Sequence, residues 1–190
     1  MAIMTFAKLA DYARRSRSLP NENRSSRAFL KVEAAKKDHD TKIFLSHSSK
    51  ESDEAIEGTL SFFKIEFNAK VFVDRKDANL SGIPSTEAAP YLKENIIKIP
   101  KFVIMMSPDT YSSKWIPWEL GLADGSKGYD KIALYFVNQD GTDNIASKQE
   151  YFGLYPQMWF GRMEGQVVDT WNVYDTRDKS SWYLKDWIAL

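Results

Sequence analysis

The residues best placed to do chemistry lie in the stretch 107–120, Ser-Pro-Asp-Thr-Tyr-Ser-Ser-Lys-Trp-Ile-Pro-Trp-Glu-Leu. Ahead of it runs Phe102-Val103-Ile104-Met105-Met106, apolar throughout, which reads as a short buried strand. The polar cluster that follows reads as a loop ending in a helix N-cap at Ser112 or Ser113, with the helix starting near Lys114 or Trp115. Trp115 and Glu119 then share one helical face, an indole one turn below a carboxylate. Pro117 is tolerated because the first helical turn has no use for the N–H it lacks. A carboxylate beside an indole, where a buried strand turns into a helix, is a candidate chemical site. The same glutamate on an open helix face is only a solvated surface residue, so its context decides.

The whole chain narrows the classes open to it. Its 190 residues, 43% of them hydrophobic, suffice for one domain with an appendage and a sizeable core. The 26 Lys+Arg balance 26 Asp+Glu, so overall charge makes no case for nucleic acid or an anionic membrane. No run approaches the roughly 20 apolar residues of a membrane span. Lys8 and Asp11 interrupt the start where a signal peptide needs an apolar core, so the expectation is a cytoplasmic protein. No Cys and two His exclude disulfides, thiol catalysis and zinc clusters of the usual spacing.

Elements that position the candidate site follow from the apolar pattern. Phe6, Leu9, Ala10 and Ala13 stand at helical spacing within 5–18, with Arg14, Arg15 and Arg17 toward the end, and Leu19-Pro20-Asn21 stops that helix. Residues 21–27 read as loop and 28–37 as a further short helix, so residues 1–40 form a helical extension and 41–190 the domain proper. The domain opens with a strand at Lys42-Ile43-Phe44-Leu45, ending at Ser46-His47-Ser48-Ser49-Lys50, and Ser52 or Asp53 caps a helix carrying Ile56, Leu60 and Phe63. A second strand spans 70–73, before a polar loop from Asp74 to Ser81 with Gly82 and Pro84 as breakers. Tyr91, Leu92, Ile96 and Ile97 mark another helix, with Pro90 near its first turn. Strands three to five fall at 101–106, 131–137 and 167–173, and 181–190 reads as a closing helix. Short apolar strands alternating with helices imply an α/β fold: a five-stranded parallel sheet of flavodoxin-like order 2-1-3-4-5, with helices on both faces. In that order the ligand crevice opens between the carboxyl ends of strands one and three, bordered by 46–50 and 107–115.

Three pieces, in order, resemble the Toll/interleukin-1 receptor (TIR) domain family: Ile43-Phe44-Leu45-Ser46-His47-Ser48-Ser49-Lys50-Glu51; then Val71-Phe72-Val73-Asp74 with Gly82 beyond; then Ser107-x-x-x-Tyr111-x-Ser113-x-Trp115-x-x-x-Glu119-Leu120. The resemblance covers 42–137 well and the remainder loosely. Ile116 stands where the family often has Cys, and Pro117-Trp118 before the glutamate are unusual. The resemblance implies that Glu119 cleaves the nicotinamide–ribose bond of NAD+, as in members that are enzymes of the bacterial, NAD+-consuming kind. One carboxylate suffices for that reaction, because nicotinamide departs from a pyridinium as a neutral ring and needs no acid, unlike an alkoxide. On the same footing, Ser46, His47, Ser48 and Ser49 present hydroxyls and N–H groups to the diphosphate or ribose. Trp115 either walls the nicotinamide ribose or anchors the helix in the core, and His47 either contacts ligand or is a satisfied loop histidine. Asp74 and Lys76 complete the candidate contacts, Lys76 toward phosphate or simply solvated. Asp74 read as a receiver-type phosphoacceptor is discounted, since Ser46-His47 replace the acidic pair such a domain carries. The implied function is an NAD+ glycohydrolase or cyclase in bacterial antiviral defence, with no metal and no cofactor beyond NAD+ as substrate. Self-association through TIR–TIR contacts and a downstream effector sensing the product would be its partners. The alternative is an adaptor that assembles without chemistry.

Overall fold

The computed structural model describes residues 2–18, 40–73, 85–141 and 153–190, of which 85–88 only in their backbone. In chain order these form β1 (Met4–Thr5), α1 (Phe6–Ser18), β2 (Thr41–Ser46), α2 (Asp53–Phe67), β3 (Lys70–Val73), α3 (Ser85–Lys98), β4 (Lys101–Met106), α4 (Ile116–Lys127), β5 (Ile132–Asn138), β6 (Gln157–Gly161), β7 (Thr170–Tyr174), β8 (Ser181–Tyr183) and α5 (Leu184–Ala189). Single 3₁₀ turns at Thr110–Ser112 and Tyr129–Lys131 flank α4. No helix among the described residues is long and apolar enough to cross a membrane.

The centre of the sheet explains why its strands are unbroken apolar runs. Every residue of β4 and β5 is buried, which a pleated strand achieves only when both faces are covered. Successive side chains therefore feed two separate cores. Ile43, Leu45, Val103, Met105, Ala133 and Tyr135 pack with Leu9, Phe62, Phe63 and Trp187 from α1, α2 and α5. Their neighbours Phe44, Phe102, Ile104, Leu134 and Phe136 pack with Leu92, Ile96, Ile116 and Leu120 from α3 and α4. On this second face Phe44 stacks on Phe102 at 5.4 Å and meets Phe72 at 5.2 Å, an aromatic row running across β3, β2 and β4. Each such fully buried ring contributes about 1.5–3 kcal/mol of transfer free energy, so the strands carrying the site loops are among the firmest parts of the fold.

The first four predicted strands lie adjacent and parallel as β3-β2-β4-β5. Beyond them the five-stranded, all-parallel expectation fails. Among the described residues the sheet has eight strands in the path β3-β2-β4-β5-β6-β7-β8, with β1 paired to β5 off that path. β6 joins β5 in parallel, while β7 and β8 run antiparallel, so the sheet is mixed. The predicted fifth strand begins only at Thr170 and is separated from β5 by β6. Val167 and Val168, which suggested the earlier start, are 85% and 68% exposed on the loop before β7. Residues 181–183 extend the sheet before α5 begins. Pro90 sits inside α3 rather than in its first turn.

The amino-terminal residues are built into this sheet. Met4 and Thr5 pair with Val137 and Asn138, and Ala2 exchanges backbone hydrogen bonds with Phe160 at 2.7 and 3.0 Å. α1 packs along α2 so closely that a Cβ on Gly58 would lie 2.2 Å from the Leu9 carbonyl oxygen, which is why that position carries no side chain. The expected loop and helix at 21–37 and the loop at 74–84 lie outside the described residues.

Candidate active site

β2 and β4 are neighbours, yet β2 also pairs with β3 on its other edge, so the strand order reverses between β2 and β4. The loops leaving their carboxyl ends diverge there, the position at which open α/β sheets take their ligands. Ser46 is the last residue of β2, and Ser107 follows the last residue of β4.

From Ser107 the chain makes a tight turn. Its N–H donates to Thr110 Oγ1 at 3.0 Å, the Thr110 hydroxyl donates to the Met105 carbonyl at 2.7 Å, and the Ser107 hydroxyl accepts from Asp109 N–H at 3.1 Å. All three hydrogen bonds are local, as expected for Ser, Thr and Asp between regular elements. Ser113 Oγ then accepts from the N–H groups of Trp115 and Ile116 at 3.3 and 3.4 Å. α4 starts at Ile116 with Pro117 in its first turn. Glu119 N–H donates to the Trp115 carbonyl at 2.9 Å, closing that turn.

The first turn of α4 carries Glu119 back over the sheet. The residue is 1% exposed, and Ser46 Oγ donates to its Oε2 at 2.5 Å. Two positions 73 residues apart thus meet at the reversal point. The positive end of the helix dipole favours a carboxylate in this first turn. In a site this dry, a fixed negative charge acts on a cationic group far more strongly than it would in water.

The predicted loop residues divide into groups. His47 and Ser48 are buried beside Ser46. His47 Nδ1 lies 2.8 Å from the Ser48 carbonyl, an acceptor only, so Nδ1 carries the proton and donates. Ser48 holds the turn, its carbonyl accepting from Glu51 N–H at 3.1 Å and its hydroxyl from Lys50 N–H at 3.3 Å. Ser49 is exposed. Trp115 is 36% exposed and meets Trp118, 41% exposed, edge-to-face at 5.7 Å, so the two indoles form a partly exposed pair at the start of α4. Asp74 and Lys76 lie outside the described residues. Among the described residues, no group of three or more His, Cys, Asp or Glu side chains is arranged to hold a metal ion.

Sequence reasoning passed over Glu51. The residue is 9% exposed, and its carboxylate accepts from the buried Ser107 hydroxyl, joining the loop after β2 to the loop after β4. Burial raises its pKa above the usual carboxylate value, the Ser107 hydrogen bond opposes this, and the nearby Asp109 charge adds to it. A weaker strap lies outside, where Lys50 Nζ donates to Ser112 Oγ at 3.1 Å. The available signal was Glu51 closing the Ser-His-Ser-Ser-Lys run.

No family model matches the chain. Among curated proteins it is similar to "Probable 3' cyclic ADP-D-ribose synthase ThsB'" of Bacillus cereus (strain MSX-D12), with 31% identity over 142 residues that cover 72% of this chain and 70% of that protein.

Proposed function

The chain belongs to the TIR-like family of that Bacillus cereus protein, and from this premise we propose that it cleaves the nicotinamide–ribose bond of NAD+ with Glu119 as the catalytic carboxylate. The observation that carries the reading is the burial of Glu119 at the reversal point, hydrogen-bonded to Ser46 at the tip of β2. A glutamate serving only solubility would project into water.

In the reaction, the bond between ribose C1′ and the pyridinium nitrogen breaks and its electron pair leaves with neutral nicotinamide. No proton is needed by the leaving group. Positive charge develops on the ribosyl C1′–O4′ unit, and the Glu119 carboxylate stabilises it from a fixed position. The Ser46 hydroxyl holds Oε2, so that little reorganisation is needed as the charge appears. His47 and Ser48 line the same loop and contact the diphosphate or ribose, and Trp115 walls the sugar. Asp74 and Lys76 complete the substrate contacts. Water can capture C1′, releasing a proton and giving ADP-ribose. A nucleophile within the same ADP-ribosyl unit gives a cyclic isomer instead, and the relative's name favours that outcome. The product then acts as a signalling nucleotide in bacterial antiviral defence, read by a downstream effector in the cytoplasm, and self-association through TIR–TIR contacts completes the cleft.

One observation favours a second reading, a module that assembles through TIR–TIR contacts without chemistry: the exposed Trp115–Trp118 pair beside the site. Incubating the purified chain with NAD+ across a wide range of protein concentration, with nicotinamide and nucleotide products followed by chromatography and mass spectrometry, separates the two. The enzyme reading expects nicotinamide release that rises steeply with concentration and falls about a thousandfold or more in Glu119→Gln. No nicotinamide from the concentrated wild-type protein leaves only the assembly module, whereas undiminished release by Glu119→Gln removes Glu119 from the role of catalytic carboxylate.

A further inference from the structure

The site is assembled from two loops that join the sheet at different points, and one buried side-chain bond links them away from the carboxylate. The Ser107 hydroxyl is its node. It donates to the Glu51 carboxylate and accepts from Asp109 N–H, so the turn that leads toward α4 is fastened to the β2–α2 loop. On the other side, Glu51 N–H donates to the Ser48 carbonyl, so Glu51 fastens the turn that holds His47 and Ser48. A carboxylate is a costly group to bury in a loop, and a simple surface connection would not require it. Here both partners are buried.

We propose that Glu51 is a positioning residue for the Glu119 site: by holding Ser107 it fixes the path from β4 into α4, and so sets where Glu119 meets Ser46. The catalytic part of this proposal rests on the NAD+-cleaving reading above. The positional part stands on geometry. Ser46 and Glu119 meet through one direct bond. A carboxylate on the first turn of a helix swings with the loop that delivers that helix. The Glu51–Ser107 bond is the buried brace on that loop, the Lys50–Ser112 bond being exposed and of little strength in water.

The test uses the full chain and the variants Glu51→Ala, Glu51→Gln and Ser107→Ala, with kcat and KM for NAD+ cleavage and backbone hydrogen exchange over 107–116. Glu51→Ala is expected to lower kcat by about ten- to a hundredfold through misplacement of Glu119, with KM changed by less than about threefold. Exchange over 107–116 should quicken, while the β4 and β5 amides stay protected. Glu51→Gln still accepts the Ser107 hydrogen bond, so it should recover kcat to within about threefold of wild type and restore slow exchange. Ser107→Ala should reproduce Glu51→Ala, and it carries the test if Glu51→Ala does not fold. Wild-type kcat and exchange in both alanine variants would overturn the proposal. A Glu51→Gln variant as impaired as Glu51→Ala would also overturn it, because the charge and not the brace would then be what matters. If the wild-type protein releases no nicotinamide, the enzymatic reading fails by itself. Hydrogen exchange still decides the brace: quickened in Glu51→Ala and restored in Glu51→Gln supports it, and unchanged exchange refutes it.

Discussion

Replacing Ser46 by alanine tests the central contact of the site most directly. The hydroxyl donates to Glu119 Oε2 at 2.5 Å, and both residues are shielded from solvent, so water cannot easily take its place. A hydrogen bond to a charged group contributes about 1.5–3 kcal/mol. If the whole of it is expressed in the transition state, at about 1.4 kcal/mol per factor of ten, kcat falls roughly ten- to a hundredfold. KM should move much less, because the hydroxyl orients the group that meets the developing charge and not the bound ground state. Glu119→Gln should lose about a thousandfold or more, since it removes the anion itself. The decisive assay is the double-variant cycle, with nicotinamide release measured under saturating NAD+ for Ser46→Ala, Glu119→Gln and the pair. With the carboxylate gone the serine has nothing left to orient, so Ser46→Ala should cost less than about twofold in that background. Undiminished kcat in Ser46→Ala would refute the reasoning, as would an equal loss in both backgrounds, which would mean the serine acts on something other than Glu119.

Two glycines should respond oppositely to alanine. Gly58→Ala drives a Cβ into the Leu9 backbone and should destabilise by about 1–3 kcal/mol, whereas Gly121→Ala, with open space around it in α4, should stabilise by up to about 1 kcal/mol; thermal melts read both. Lys127 donates from Nζ to the carbonyls of Ile97 and Ile99 at the end of α3, and burial, helped by Lys131, pulls its pKa from 10.5 to about 8. Between these values the unfolded chain binds more protons than the folded one, so this group makes stability rise from pH 8 toward 10.5, and Lys127→Met should flatten that rise in melts at stepped pH. Above about pH 10 the buried phenol of Tyr135, whose pKa is raised by desolvation, reverses the trend, because only the unfolded chain then ionises it. Trp115→Ala should lower the melting temperature only modestly, since the residue is 36% exposed, while raising KM for NAD+ several-fold by about 1 kcal/mol of lost stacking; an unchanged KM would remove Trp115 from the binding surface.

How far the sequence could be read depended on where each element's partners lie. β2, β4 and β5 were legible because strands buried on both faces must be continuous apolar runs, and no amphipathic helix imitates Phe102 to Met106. The cap of α2 was legible to within one residue, Ser52 or Asp53, because capping is local, and it is the Ser52 hydroxyl that accepts Ala55 N–H at 3.1 Å. β1 left no trace in its own residues. A two-residue strand is held by backbone pairing to Val137 and Asn138, a partner more than a hundred residues away, and backbone groups carry no side-chain code. β6 did carry a period-two signal, Met158 and Phe160 facing the α1 side, but it stood among turn residues that hid it. Val167 and Val168 misled in the opposite sense, because β-branched residues favour strands only where a neighbouring strand is present to pack against.

The candidate site divides along the same line. Glu119, Ser46 and Trp115 lie in the stretches that carry the family resemblance, so a sequence reading could place them beside the reversal of strand order before any coordinates. Glu51 closes the first of those stretches, but its role does not show there, since a glutamate after a polar loop is solvated in most proteins. What makes it a candidate for control is that Ser107, 56 residues further on, is buried beside it and donates to its carboxylate. Residues that hold a site in position depend on three-dimensional coincidence, whereas residues that do the chemistry are selected by type. A search of sequences for function therefore finds the second kind first, and the geometry between loops is where the first kind must be sought.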